Sequence, residues 1–158
     1  MEQVVYVAVV AGILALVFAF YLASNVSRQE DGNDKMKEIA KAISEGASAF
    51  LFSEYRILVI FVAVLFVVIG FGIGNWVTAV CFLVGAGFSV LAGYFGMNVA
   101  TKANVRTANA ARTGGMNKAL TVAFHGGAVM GMCVVGLGLL GCRLIYVITG
   151  NVDVLSGF

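Results

Sequence analysis

The run ILVIFVAVLFVVIGFGIGNWVTAVCFLVGAGFSVLAGYFGMNVAT, residues 57–101, contains no charged side chain. As a single α-helix it would be about 67 Å long at 1.5 Å per residue, roughly twice the ~30 Å hydrocarbon thickness of a bilayer. It therefore reads as two crossings, residues 57–73 and 76–97, joined by a tight reversal. Gly70, Gly72, Gly74 and Asn75 supply the turn, and Trp76 suits the interfacial belt, where an indole ring keeps its N–H in contact with water.

Outward from this run the same composition recurs. Residues 4–22 are uncharged and long enough to cross. A secretory leader is the competing reading, but Glu2 stands where a basic region is needed, and Ser24, Asn25 and Ser27 follow without a small-residue cleavage site, so a retained helix is expected. Residues 119–142 are again uncharged, and beyond Arg143 the apolar pattern continues to residue 148 before Thr149, Gly150 and Asn151 break it. That is the fourth span, 119–148, with Arg143 near enough to its end to snorkel or to pair inside a bundle. With 61% hydrophobic and 11% charged residues, no proline, 20 glycines and a mean hydropathy of +0.98, the chain carries more apolar surface than a soluble core of 158 residues can hide. The expected fold is all-α: a polytopic transmembrane bundle of about four helices, residues 1–158 forming one transmembrane unit.

Charge distribution predicts sidedness. Segments 24–56 and 98–118 hold nine of the ten basic residues, and the positive-inside bias puts both in the cytoplasm, with the N-terminus, the Gly74–Asn75 reversal and the C-terminus on the outer face. A multi-pass protein of a bacterial-type inner membrane is expected, with the lipid bilayer as its partner and no nucleic-acid partner. In the first segment Met36, Ile39, Ala40, Ile43, Ala47, Phe50 and Leu51 repeat at threes and fours. They predict a helix that starts near Gly32-Asn33-Asp34 and runs through Tyr55 into the second span. The second segment, NVATKANVRTANAAR over residues 98–112, alternates small residues with amides and cations and predicts a close-packed helical extension that Gly114-Gly115 breaks.

Few residues are candidates for chemistry. Lys102 and Arg106 are four apart, share a helical face and could together attract a phosphate or an acidic lipid headgroup; they also satisfy the positive-inside pattern. Arg112 is the third electrostatic candidate in this segment. His125, beside Gly126-Gly127, is the one side chain here whose ordinary pKa lies near neutrality, although it has no carboxylate neighbour in sequence. Small residues at helix-contact spacing, including Gly70 with Gly74, Ala92 with Gly96, Gly127 with Gly131, and Gly136 with Gly138 and Gly141, suggest tight packing without specifying a task. Cys81, Cys133 and Cys142 lie in apolar sequence without metal-ligand spacing. No Asp or Glu occurs between Glu54 and Asp153, so the carboxylates needed to hold divalent cations, or to relay ions within a membrane, are missing from the spans. No catalytic, substrate-binding or metal-binding residue is expected on this chain.

Four strings nevertheless carry a specific resemblance: GNDKMKEIAKAISEGASAFLFSEYR from Gly32, GYFGMNVATKANVRTANAAR from Gly93, FHGGAVMGMCVVGLGLLG from Phe124, and DVLSGF at the end. Together they are similar to membrane-bound, ion-translocating pyrophosphatases. The resemblance implies a homodimeric pump of roughly 16 helices per subunit, hydrolysing magnesium pyrophosphate at the cytoplasmic face and exporting protons or sodium ions, with Mg2+ as cofactor and K+ or Na+ as further possibilities. This chain would be its first quarter, a fragment inactive alone, since the family's aspartate-rich segments lie beyond the portion it matches. Its implied topology agrees with the orientation read from charge. His125 departs from the family, where arginine is expected in many members. The alternatives are a self-contained four-helix scaffold or assembly protein without catalysis, and a small channel using His125 and Arg143.

Overall fold

A computed structural model describes residues 2–158, the side chains from residue 6 onward. The chain is all-α. Helix α1 spans Glu2–Ser27, α2 Asp34–Gly72 and α3 Trp76–Thr149, and a short 3-10 helix, Asp153–Gly157, follows. Among the described residues, three helices are long and apolar enough to span a membrane, where the sequence suggests four spans. The difference has a local cause. Residues 76–149 keep helical geometry except at Gly115, whose φ of 77° and ψ of −177° lie outside the helical region, so this one residue divides α3 into two helical arms, 76–114 and 116–149, with no intervening loop.

The arms fold back on each other. At 74 residues α3 would extend about 110 Å if straight. Instead a Cβ placed on Gly126 would lie 2.5 Å from the Ala103 Cβ, and one on Gly96 would lie 2.6 Å from the Met130 Cγ. These separations require the absence of a side chain at both glycines, which lets a side chain of the opposite arm pack directly against the helix. Helix α1 packs along the same seam: Ala19 and Leu22 are buried with Ala92 of the first arm and with Val129 and Cys133 of the second. Higher up, Gly12 and Gly136 cross so closely that a Cβ on Gly136 would sit 3.0 Å from the Gly12 carbonyl oxygen. Gly127, Gly131 and Gly138, by contrast, face open space, so the small-residue spacing read from sequence marks only some of the true contacts.

Helix α2 starts as the sequence predicts. Asn33 caps it, its side-chain oxygen accepting from the Met36 N–H at 3.0 Å, and the helix continues without interruption through Tyr55 to Gly72. It packs on α3 and, among the described residues, not on α1. The Tyr55 hydroxyl donates to the Val90 carbonyl at 3.1 Å, and the Trp76 ring covers Gly70 while meeting Phe71 edge-on. The reversal between the two helices uses Gly74 at φ 69° and Asn75 as the cap of α3. The 3-10 helix, not anticipated from sequence, folds back between the arms of α3. Val154 is buried against Cys81 and Ile145, and the Phe158 ring stands edge-on to Phe88.

Candidate functional site

The polar residues concentrate where the loop between α1 and α2, residues 28–33, lies across α3 just before its reversal. Gly32 takes φ 86°, a left-handed conformation that costs an L side chain about 1–2 kcal/mol, and this turns the loop back toward Asn109. Arg106 then uses three of its nitrogens, two on the loop and one on its own helix. Its Nε donates to the Gln29 carbonyl at 3.1 Å, one terminal nitrogen donates to the Lys102 carbonyl at 2.9 Å, and the other lies 3.1 Å from the Asp31 carboxylate. The side chain is 13% exposed, so its charge is answered by Asp31 instead of by bulk water. Asn109, buried, donates from Nδ2 to the Glu30 carbonyl at 3.2 Å and accepts from Arg112 at 3.2 Å. Thr113 closes the helix side by donating to the Asn109 carbonyl at 2.9 Å.

The four electrostatic candidates thus occupy different surroundings. Arg106 and Arg112 belong to the network that ties the loop down. Lys102 contributes its backbone carbonyl to that network while its side chain stands exposed, so the shared face does not bring two free cations together. His125 is half-buried on the second arm of α3, beside Asn25, Gln29, Lys118 and Thr121, at a cavity of about 160 Å³. Next to it a cavity of about 320 Å³ is walled by Arg28, Glu30, Arg106, Asn109, Thr113 and Lys118. Sequence reasoning passed over Asn109 and Asp31, the two residues that complete the clamp. The available signal was the amide among small residues in NVRTANAAR, since a buried amide between alanines must find partners from another element.

This arrangement can brace and can attract anions. It does not fit a magnesium ion. Among the described residues no three His, Cys, Asp or Glu side chains gather as a metal could use them, Asp31 is engaged by Arg106, and Asp34, Glu38 and Glu45 sit in exposed pairs with lysines one helical turn away.

Comparison with known proteins supplies what the geometry leaves open. The family profile described as "Inorganic H+ pyrophosphatase" matches residues 13–158. The chain belongs to the membrane proton- and sodium-pumping pyrophosphatase family. It is accordingly part of an integral, multi-pass membrane protein. Over its whole length it is 53% identical to a protein of Clostridium tetani, of which it covers 23%. It is 42% identical, again over its whole length, to the K(+)-insensitive pyrophosphate-energized proton pump of Methanosarcina mazei, of which it covers 24%. Over 92% of its length it is 42% identical to the K(+)-stimulated pyrophosphate-energized sodium pump of Thermotoga maritima, of which it covers 20%. The chain spans less than a quarter of the length of these relatives, and the family includes potassium-stimulated members.

Proposed function

We propose that these residues form the N-terminal quarter of a homodimeric pump that couples hydrolysis of magnesium pyrophosphate to the movement of protons or sodium ions out of the cytoplasm. The observation that carries this reading is a family match over nearly the whole chain, joined to described residues among which no three His, Cys, Asp or Glu side chains gather. A part so similar to pyrophosphate-energized pumps, with no carboxylates grouped among its described residues, serves the pump as a frame while the ligands for magnesium and pyrophosphate come from the rest of the protein. In this reading the two arms of α3 are the third and fourth crossings, giving spans 4–22, 57–73, 76–97 and 119–148. Segments 24–56 and 98–118 then face the cytoplasm, and the Arg106–Asn109 clamp joins these two cytoplasmic segments.

The test compares the 158-residue chain with the full-length pump, both reconstituted into proteoliposomes. The full-length protein should release phosphate from magnesium pyrophosphate and acidify or load the vesicles with sodium; the 158-residue chain should do neither. Hydrolysis by the short chain would overturn the framing role, and full-length protein that hydrolyses without moving an ion would overturn the coupling. Recovery of a separately expressed 158-residue protein bound to a different membrane protein would instead favour the self-contained scaffold.

A further inference from the structure

Arg28, in the α1–α2 loop, and Lys118, on the second arm of α3, line one cavity, yet neither takes part in the clamp that Arg106 and Asn109 make. Of the charged groups on this wall, Arg106 is matched by Asp31. That leaves Arg28 and Lys118 against Glu30, an excess of one positive charge in a polar hollow of about 320 Å³. The hollow does not stop there. Gln29 and Lys118 also border the smaller cavity, where Val26 and Val122 join Thr121 and His125. Thr121 and His125 in turn border a shallow apolar depression along the second arm of α3, made with Leu120, Ala123 and Phe124. Leu120 and Phe124, four residues apart and on one face, are 59% and 75% exposed.

The wall therefore grades from cationic to apolar along the first turns of the second arm of α3, an element long and apolar enough to cross a membrane. A free anion would use only its head. A phospholipid would use all of it, with the phosphate between Arg28 and Lys118 and an acyl chain along Leu120 and Phe124. Basic pockets at helix ends on one side of a membrane attract anionic headgroups for the same electrostatic reason. We propose that this groove is a binding site for an anionic phospholipid, one that pins the α1–α2 loop to the reversal of α3 and is separate from any handling of pyrophosphate.

The experiment uses the full-length pump purified in mild detergent, with bound lipid followed by native mass spectrometry during titration with phosphatidylglycerol or phosphatidylcholine. Wild-type protein should retain phosphatidylglycerol in preference to phosphatidylcholine. Arg28→Gln and Lys118→Gln should each weaken that retention about fivefold, and Lys118→Arg should preserve it. Phe124→Ser should weaken retention of the lipid, and millimolar inorganic phosphate should fail to displace it. Equal retention of both lipids by wild-type protein would overturn the proposal even if the charge variants did not fold. So would unchanged retention in a folded Arg28→Gln/Lys118→Gln double variant. Displacement by inorganic phosphate together with indifference to Phe124→Ser would give the groove to a free anion. A cross-link from position 118 into an acidic segment of the pump would give it to protein. Either result overturns the lipid assignment.

Discussion

Asn109 illustrates how a single enclosed amide holds two elements together. Its two side-chain bonds reach the Glu30 carbonyl and Arg112, and an enclosed polar group deprived of its partner costs more than the bond itself contributes. Asn109→Ala should therefore lower stability by about 1–3 kcal/mol, read as a downward shift in the thermal unfolding of detergent-solubilised protein. Arg112→Gln, which withdraws the donor from the Asn109 oxygen but leaves the Glu30 bond in place, should cost less, about 1 kcal/mol, in the same measurement. If both variants unfold alike, the network is not what holds the loop. Gly32 makes a complementary case. A Cβ there would lie 2.5 Å from the Met36 sulfur and would need a left-handed backbone, so Gly32→Ala should destabilise by at least about 1–2 kcal/mol, the backbone cost alone. The methionine end is flexible and can move aside; the backbone cannot.

Among the helices, α3 depends most on isolated positions. Gly115 has open space around it, so a side chain there would meet no neighbour; the obstacle is its φ of 77° with ψ near 180°, a region that only glycine occupies readily. Gly115→Ala should cost about 1–3 kcal/mol and expose residues 113–117 to protease in membranes where the wild type resists cleavage. Gly126 is the opposite situation: its backbone is ordinary helix, but the Ala103 methyl fills the space a side chain needs. Gly126→Leu should wedge the arms apart at a cost of about 1–3 kcal/mol, and a smaller second substitution, Ala103→Gly, should recover part of the loss. Recovery would mark contact between the arms as the cause. Its absence would mean that Gly126 matters for another reason.

Taken whole, the chain is an apolar assembly turned outward. Ile57, Val59, Ile60, Phe61, Val64, Val67, Val68 and Phe71 on α2 are all about half exposed or more, a surface that water would not tolerate but that lipid or further helices can cover. The charge pattern predicts how it sits in the bilayer. Lys37→Cys and Lys102→Cys, made after replacing the exposed Cys142 by Ser, should react with a membrane-impermeant maleimide from one side of sealed vesicles, and Gly74→Cys from the other. Labelling of positions 37 and 102 from opposite sides would refute the orientation.

Much of this architecture is already legible in the residues. Charge-free runs of membrane length, the Gly74–Asn75 reversal, the uninterrupted helix from Asp34 past Tyr55 and the break at Gly114-Gly115 follow from length, hydropathy and local backbone preference, all of which act over a few residues of chain. The strings that mark the family are local as well. Contacts between distant residues are a different matter. That Arg106 answers Asp31, that Asn109 meets Glu30, that Gly126 and not Gly127 forms the seam, and that Val154 tucks between the arms depend on the rotation of each helix about its axis and on its partner. In helices apolar on every side, as these spans are, hydrophobic periodicity does not mark which face is inside. The reason is physical: lipid accepts any apolar face, so only close packing and the pairing of buried polar groups select one, and both exist only once the elements have met.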